Sequence, residues 1–148
     1  LELKPMLDTL IELHKLKAEK EITITYEIEP ANLSVMADRT HFSNIISNLI
    51  DNAVKYSPGQ VLIKLYCHRN ANGQVEISVT DQGIGIASEK QKHIFDKFYR
   101  VPTGNLHDVK GYGLGLYYVR TMIEKHGGTV SVESEPGHGS TFTLVINE

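Results

Sequence analysis

Several features that often point to a function are scarce or absent in this sequence. The chain of 148 residues has one cysteine, Cys67, so it cannot form an internal disulfide, and a thiol in a strand-like run is expected to pack in a core. There is no apolar run of about 18 residues and no signal peptide, so no membrane span is predicted. The net charge of −3 predicts no basic surface for nucleic acid. We therefore expect neither a nucleic-acid partner nor membrane contact by this domain.

Two common nucleotide-binding patterns are also missing. A P-loop requires G-K-[ST], which occurs nowhere in the chain. The dinucleotide pattern G-x-G-x-x-G would require a glycine at position 116, where the chain has Leu116, and it would require a strand before it. A nucleotide would have to be bound in a different way.

The composition is typical of one globular domain. An apolar content of 41% and a charged content of 22% are ordinary for such a domain, and a chain of this length forms a single one. We therefore treat residues 1–148 as one domain. Because the chain begins at Leu1 within a helical pattern and without a methionine, we expect it to be part of a longer polypeptide.

Apolar periodicity predicts three main helices and six strands. Their order, α, β, β, α, β, β, α, β, β, predicts an α+β fold, with one mixed and mostly antiparallel sheet and the three helices on one face, as a two-layer α/β sandwich. The predicted helices cover 3–20, 38–56 and 114–126, and the predicted strands cover 21–29, 34–37, 61–67, 75–81, 129–134 and 140–147.

The segment 82–113 is irregular and rich in glycine, apart from a short helical pattern at 88–97. A connection of that length is uncommon in a compact domain unless it acts as a lid or a binding loop. The segment is therefore a candidate for ligand binding.

The second predicted helix carries a polar row beside its apolar face. Helical spacing places Asn48, Asn52 and Lys55 within about 60° of one another. Carboxamide oxygens one turn apart suit a hard cation such as Mg²⁺, a lysine one turn further suits a phosphate, and the ring of Tyr56 suits contact with a base. By itself, the row is equally consistent with an amphipathic surface helix that has asparagines at its rim.

Two glycine runs follow predicted elements. Asp81-Gln-Gly83-Ile-Gly85-Ile86 continues a strand whose period places Asp81 on the inward face. There the carboxylate can accept from an exocyclic amine such as that of adenine, and the glycines let the backbone approach a ring closely. Gly111-Tyr-Gly113-Leu-Gly115-Leu116 opens the last helix, where free N–H groups suit phosphates. The alternatives are a strand end with a capping aspartate, and a flexible loop.

In order and spacing, four motifs of the chain resemble the N, G1, F and G2 boxes of bacterial sensor histidine kinases. The closing Gly137-His-Gly139-Ser-Thr141-Phe142 is similar to the last strand pair of that family. The resemblance covers residues 38–142 and implies the Bergerat ATP-binding fold, which the family shares with gyrase, heat-shock chaperone ATPases and mismatch-repair ATPases. The boxes are Asn48-Leu-Ile-Asp-Asn52-Ala-Val-Lys55-Tyr56, Asp81-Gln-Gly83-Ile-Gly85-Ile86, Ile94-Phe95-Asp-Lys97-Phe98-Tyr-Arg100 and Gly111-Tyr-Gly113-Leu-Gly115-Leu116.

Carried over residue by residue, the resemblance implies ATP and Mg²⁺ as cofactors. Asn52 would hold the Mg²⁺, and Asn48 would lie beside it near the phosphates. Lys55 would meet a phosphate, Tyr56 would pack on the adenine, and Asp81 would accept from the adenine amino group.

The resemblance also implies an ATP lid at residues 96–113. Phe95 and Phe98 would anchor its base, and Lys97 and Arg100 would reach toward the phosphates. Thr141 would help to hold the base from below. Further nucleotide contacts are expected from Gly83, Gly85, Ile86, Gly111, Gly113, Leu114, Gly115 and Leu116.

The residue one turn before Asn52 separates the possible activities. In the hydrolytic relatives a glutamate at that place activates water, whereas Asn48 cannot take a proton. Catalysis would then rest on positioning by Asn48 and on charge neutralisation by Mg²⁺, Lys55 and Arg100. The resemblance implies a catalytic domain that presents the γ-phosphate of ATP to a histidine on a separate domain. An ATP hydrolase of the same superfamily, a serine kinase of the anti-sigma-factor type and a pseudokinase are the alternatives.

Further expectations concern the whole polypeptide. Residues 1–20 would follow a missing dimerisation and phosphoacceptor hairpin, because the dipeptide His107-Asp108 lies in the predicted lid and lacks the family context. A response regulator would be the downstream partner. We expect a cytoplasmic domain of a receptor anchored in the inner membrane, which as an isolated domain is monomeric and binds Mg-ATP without labelling itself on histidine.

Overall fold

A computed structural model describes residues 1–97, 99 and 115–147. Within these residues the chain forms four helices and five strands. In chain order they are α1 (Leu3–Lys17), β1 (Ile22–Glu29), α2 (Arg39–Lys55), β2 (Val61–Arg69), β3 (Val75–Asp81), α3 (Ser88–Gln91), α4 (Gly115–Lys125), β4 (Gly128–Ser134) and β5 (Ser140–Ile146).

The five strands form one mixed sheet in the order β1-β2-β3-β5-β4. β1 pairs with β2 in parallel, and the other neighbouring strands are antiparallel. The predicted mixed and mostly antiparallel sheet is therefore confirmed. In the register of this sheet, Asp81 at the end of β3 lies opposite Ser140 at the start of β5, and Ser140 lies opposite Ser134 at the end of β4.

The strand predicted at 34–37 is wrong. Ser34 forms only an isolated antiparallel bridge with Glu2, and the segment lies outside the sheet. Its backbone pairs instead with the start of the chain, because Leu3 N–H donates to Leu33 O at 3.1 Å and Val35 N–H donates to Leu1 O at 2.9 Å. The segment thus fastens the beginning of α1 to the domain.

The helices lie on one face of the sheet and close the core. α1, α2 and α4 pack on strands and on one another, and alternate residues of β2, from Val61 to Cys67, are fully buried beneath them. Burial raises the pKa of the Cys67 thiol to about 12, so that this group is protonated packing material at neutral pH. The opposite face is polar, with Thr25 and Lys64 exposed. This is the expected two-layer sandwich.

Two predicted helical segments are shorter in the structure. α1 ends at Lys17 rather than at 20, because Ala18 is extended with ψ of 136°. The pattern at 88–97 reduces to α3, and the chain then continues as tight turns in which His93 N–H donates to Lys90 O and Asp96 N–H donates to His93 O. No helix within the described ranges is long and apolar enough to cross a membrane.

The helix α2 matches its prediction closely. Asp38 caps its start by accepting from His41 N–H at 2.9 Å, and Tyr56 occupies the cap position at its end. Its apolar face is fully buried from Phe42 to Ala53. The polar row lies beside this face, with Asn48 and Asn52 half-buried and Lys55 exposed.

Candidate functional site

Asp81 is the buried charge of the site. Its side chain lies on the inward face at the end of β3 with 5% of its surface exposed, and its Oδ1 accepts from Gly83 N–H at 2.8 Å. Burial raises the pKa of this carboxyl, whereas the backbone N–H groups of Gly83 and Ser140 act to lower it. Two carboxylate oxygens offer about four acceptor sites, so these bonds leave capacity for a donor from a ligand.

Gly83 and Gly85 allow the loop after Asp81 to fit between other parts of the backbone. A Cβ at Gly83 would lie 2.2 Å from Tyr56 O, and one at Gly85, where φ is +74°, would lie 2.0 Å from Glu135 O. Ile84 N–H also donates to Tyr56 O at 3.0 Å. The sequence suggested that these glycines admit a ligand ring, and the structure shows that they admit the end of α2 and the β4–β5 turn.

The polar row of α2 faces the start of α4. The Nδ2 of Asn48 donates to Asn44 O at 2.7 Å, so the carboxamide is held by the backbone of its own helix. A Cβ at Gly115, the first residue of α4, would lie 3.2 Å from Asn48 Oδ1. Asn52 is half-buried and Lys55 is exposed on the same side. The structure therefore places Asn48 beside the start of α4, and Asn52 and Lys55 follow it along α2.

Phe95 and Lys97 are the residues at the base of the predicted lid that the structure describes. Phe95 is 9% exposed and its ring lies edge-on to Phe142, with 6.1 Å between the centroids. The Nζ of Lys97 is 5.7 Å from the ring centroid of Tyr117 in the first turn of α4, and Leu116 of the same turn packs against the core. The lysine thus lies beside a side chain of the first turn of α4, and the N–H groups of a helix start favour anions. Outside the described residues lie Phe98, Arg100, Gly111, Gly113 and Leu114, together with most of the predicted lid.

Thr141 lines a cavity at this end of the sheet together with Asp81, but it is one residue away from the inward position of its strand. It lies opposite Thr80 in the sheet, and the hydroxyls of these two residues are 3.1 Å apart on the face that points away from the helices. The inward position opposite Asp81 belongs to Ser140, which is 7% exposed. A signal for this was available, because the apolar residues of β5 recur with period two from Phe142 and place Ser140 on their face.

Two further polar residues that the sequence did not single out hold the loop after Asp81. The Oγ of Ser134 accepts from Ile86 N–H at 2.8 Å. The Nε2 of Gln91 donates to Ile86 O at 2.8 Å and to Ser134 O at 2.9 Å. A cavity of about 480 Å³ opens at this end of the sheet, and Asp81, Gln91, Ser134 and Ser140 are among the residues that line it.

Comparison with known proteins identifies the family to which a chain with these features belongs. The model of the histidine kinase-, DNA gyrase B- and HSP90-like ATPase family matches residues 37–148, a range that contains α2, the loop after Asp81 and the start of α4. The chain belongs to this family. ATP binding by the domain is the property that this family supports.

Relatives of this ATPase-family domain include sensor proteins. The sensor protein RprX of Bacteroides fragilis is 49% identical over 124 residues, which cover 83% of this chain and 24% of RprX. The chain therefore spans about a quarter of the length of that relative.

Solved structures of histidine kinases share the fold of this domain. The catalytic domain of the histidine kinase ThkA has a TM-score of 0.83 at 28% sequence identity, covering 98% of this chain and 93% of that one. Full-length ShkA in complex with AMPPNP has a TM-score of 0.81 at 28% identity, covering 99% of this chain and 30% of ShkA. The predicted α+β Bergerat fold is confirmed, and the chain is a catalytic ATP-binding domain of the histidine kinase type.

Proposed function

We propose that this domain holds Mg-ATP and presents its γ-phosphate to a histidine on a separate dimerisation hairpin. The likeness to the ThkA catalytic domain and the presence of AMPPNP, an analogue of ATP, in the ShkA structure support the proposal. The adenine would lie at Asp81 and the phosphates at the start of α4. The arrangement of the two ends supports this orientation.

At the base end, the buried Asp81 carboxylate would accept from the adenine amino group. A buried acceptor with unused capacity favours a ligand that donates hydrogen bonds. Tyr56 is half-buried at the end of α2, and its backbone contacts the loop at Gly83 and Ile84. Tyr56 is therefore adjacent to the loop that would hold the base, and its ring would pack on the base.

At the phosphate end, the donor set fits Mg²⁺. Asn48 and Asn52 supply neutral carboxamide oxygens, which suit a hard cation that keeps waters and shares phosphate oxygens. Asn52 would hold the metal, which when bound supplies charge neutralisation and orients the phosphates. Lys55 and Lys97 would add positive charge, and the free N–H groups of the first turn of α4 would bind phosphate oxygens.

The observation that favours transfer over hydrolysis is the state of Asn48. Its amide is bonded to Asn44 O, and a carboxamide cannot act as a general base toward water. Asp51, the one carboxylate within α2, lies 3.4 Å from His14 Nδ1 and 3.6 Å from Lys17 Nζ, on the α1 side of the helix. Water would therefore lack an activating group, whereas an incoming histidine carries its own nucleophilic nitrogen.

The test measures binding, phosphate release and phosphotransfer with one preparation. The purified domain is expected to bind Mg-ATP by calorimetry, to release negligible phosphate and to acquire no acid-labile phosphate. Addition of the separately expressed dimerisation hairpin of the full-length protein should then produce phosphohistidine on the hairpin. Asp81→Asn serves as the weakly binding control, at an Mg-ATP concentration that saturates only the wild type. Steady phosphate release by the wild type that disappears in Asp81→Asn would favour the hydrolase alternative instead.

The wider setting is also part of the proposal. The histidine would lie on the dimerisation hairpin of the same full-length protein, a response regulator would receive the phosphoryl group, and the domain would lie in the cytoplasm as part of a receptor in the inner membrane. The similarity to the sensor protein RprX, of which this chain covers 24%, supports the setting. Light scattering should find the isolated domain monomeric, and a stable dimer would contradict that part of the proposal.

A further inference from the structure

Three side chains form a row across the end of the sheet beside the base site. Ser134, Ser140 and Asp81 are in register on β4, β5 and β3, and alternation places all three on the face that the helices cover. Residues directly opposite one another in antiparallel strands have Cβ atoms about 5 Å apart. Ser140 is therefore an immediate neighbour of the Asp81 carboxylate.

The hydroxyl of Ser134 has all its hydrogen-bonding capacity in use. It accepts from Ile86 N–H, donates to Gly139 O at 2.8 Å and lies 2.8 Å from the Ser140 hydroxyl. A hydroxyl has one hydrogen and two lone pairs, and a carbonyl can only accept. The hydrogen of Ser134 therefore goes to Gly139 O, and Ser140 must donate to Ser134.

This assignment fixes the polarity of Ser140. Because its hydrogen is directed to Ser134, the Ser140 hydroxyl has only lone pairs left for other partners. The neighbouring Asp81 carboxylate, when ionised, also only accepts. The row therefore offers acceptors alone to a ligand at this place.

We propose that Ser134 is a positioning residue for base selection, which orients the Ser140 hydroxyl so that the site favours an exocyclic amine and disfavours a carbonyl. The inference rests on the proposed function, since it requires the base of ATP to lie at Asp81. Adenine carries an amino group where hypoxanthine carries a carbonyl, and a site built from acceptors rejects the carbonyl. ATP should thus bind more tightly than ITP.

The structure provides a matched control for simple loosening of the loop. Gln91 holds the same loop through Ile86 O and the backbone oxygen of Ser134, and it makes no contact with either hydroxyl among the hydrogen bonds of the described residues. Gln91→Leu therefore weakens the loop and leaves the Ser140 hydroxyl oriented. Ser134→Ala removes the acceptor of Ser140 and frees its hydrogen, which can then meet a carbonyl or occupy an acceptor site of Asp81, and either change reduces the preference for an amine.

The experiment compares the dissociation constants of ATP and ITP for the domain by calorimetry with Mg²⁺ present. Ser134→Ala is expected to reduce the preference for ATP about fivefold, the equivalent of one neutral hydrogen bond. Ser134→Thr should restore the preference, and Gln91→Leu should weaken both nucleotides equally. If Ser134→Ala does not fold, Ser140→Ala removes the second acceptor itself and should likewise reduce the preference.

The outcomes distinguish the inference from the proposed function. A wild type that binds no ATP would refute both. A wild type that prefers ATP, together with an unchanged preference in Ser134→Ala or in its substitute Ser140→Ala, would refute the role of Ser134 alone. Loss of preference in Gln91→Leu as large as that in Ser134→Ala would show that loop position, rather than hydroxyl orientation, selects the base.

Discussion

Replacing Asp81 with asparagine separates the energetic penalty of burying a carboxylate from its use in binding. The two side chains have the same shape, and asparagine can still accept from Gly83 N–H, which donates to Oδ1 at 2.8 Å. Because burial raises the pKa of Asp81, the ionised form is less favourable in the folded chain than in the unfolded one. Asp81→Asn should therefore stabilise the fold at pH 7, by about 1 kcal/mol or about 3 °C in melting temperature.

The same substitution should weaken nucleotide binding. With Oδ1 turned toward Gly83, the new NH₂ group of residue 81 would point at the adenine amino group, and two donors would face each other. A hydrogen bond to a charged acceptor contributes about 2 kcal/mol, so the dissociation constant of Mg-ATP should rise by a factor of about 30. Stability and affinity are thus expected to change in opposite directions.

The assay combines thermal unfolding with calorimetry of Mg-ATP at pH 7 and near pH 4.5. The raised pKa means that Asp81 takes up its proton more readily in the folded state, so the stability advantage of Asp81→Asn should shrink as the pH falls. Asp96→Asn is the control, because that side chain is 49% exposed and its removal should change stability by less than about 0.5 kcal/mol. A variant less stable than the wild type at pH 7, or an advantage that grows on acidification, would refute the reasoning.

Three further substitutions test the packing of the site. Burial lowers the pKa of His14 below 6.5. The stabilising effect of the neutral His14 side chain is therefore present above that pH and is lost on acidification. His14→Phe should reduce the fall in unfolding free energy between about pH 7.5 and 5.5. Gly85→Ala should lower the free energy of unfolding by more than about 2 kcal/mol, because the new Cβ clashes with the β4–β5 turn. Gly59→Ala is its control, since Gly59 has a similar φ of +77° and open space around it. In chemical denaturation the control should cost only about 1 kcal/mol. Gly115→Ala should raise stability by roughly 0.5 kcal/mol but weaken Mg-ATP binding several-fold in calorimetry, since its Cβ would crowd Asn48 Oδ1. An unchanged pH dependence in His14→Phe would contradict the first prediction, and equal costs of Gly85→Ala and Gly59→Ala would contradict the second. An unchanged ATP affinity in Gly115→Ala would contradict the third.

Periodicity was sufficient to predict the elements that bury one face. α2 runs from its cap at Asp38 to Tyr56, and β3 spans Val75–Asp81, both as predicted, because burial against a single layer requires apolar residues at a fixed period. The alternation that placed Asp81 inward is confirmed by its 5% exposure. Local sequence patterns were therefore sufficient to predict the positions of the polar row on α2 and of the Asp81 carboxylate at the end of β3.

Pairing partners could not be predicted in the same way. The segment 34–37 is predicted as a short strand, but four residues do not specify a partner, and the segment pairs with the beginning of the chain. Thr141 was chosen by resemblance, although the register assigns the inward position to Ser140. A shift of one residue moves a side chain to the other face of a sheet, so a motif alone does not say which hydroxyl is inside.

The positions of glycine and serine residues in the sequence likewise did not show which groups contact them. Glycine indicates that something approaches the backbone closely, and only the structure shows that the Tyr56 carbonyl approaches Gly83. Ser134 had no local signal at all, because its partners Ile86, Gly139 and Ser140 meet only through the sheet and the loop. Residues that orient a site through others are invisible to motif reading.

The loop after Asp81 is held in place by three other parts of the described chain. The loop after Asp81 is held by the end of α2 through Ile84 N–H, by the β4–β5 turn through Gly137 N–H at 2.8 Å from Ile84 O, and by β4 through Ser134. If a base binds at Asp81 as proposed, the loop of residues 82–86 would need little ordering, so that ordering it would cost little conformational entropy. The buried Asp81 carboxylate makes an unfavourable contribution to the free energy of folding. A hydrogen bond donated by the base would replace part of the solvation that the carboxylate loses on burial.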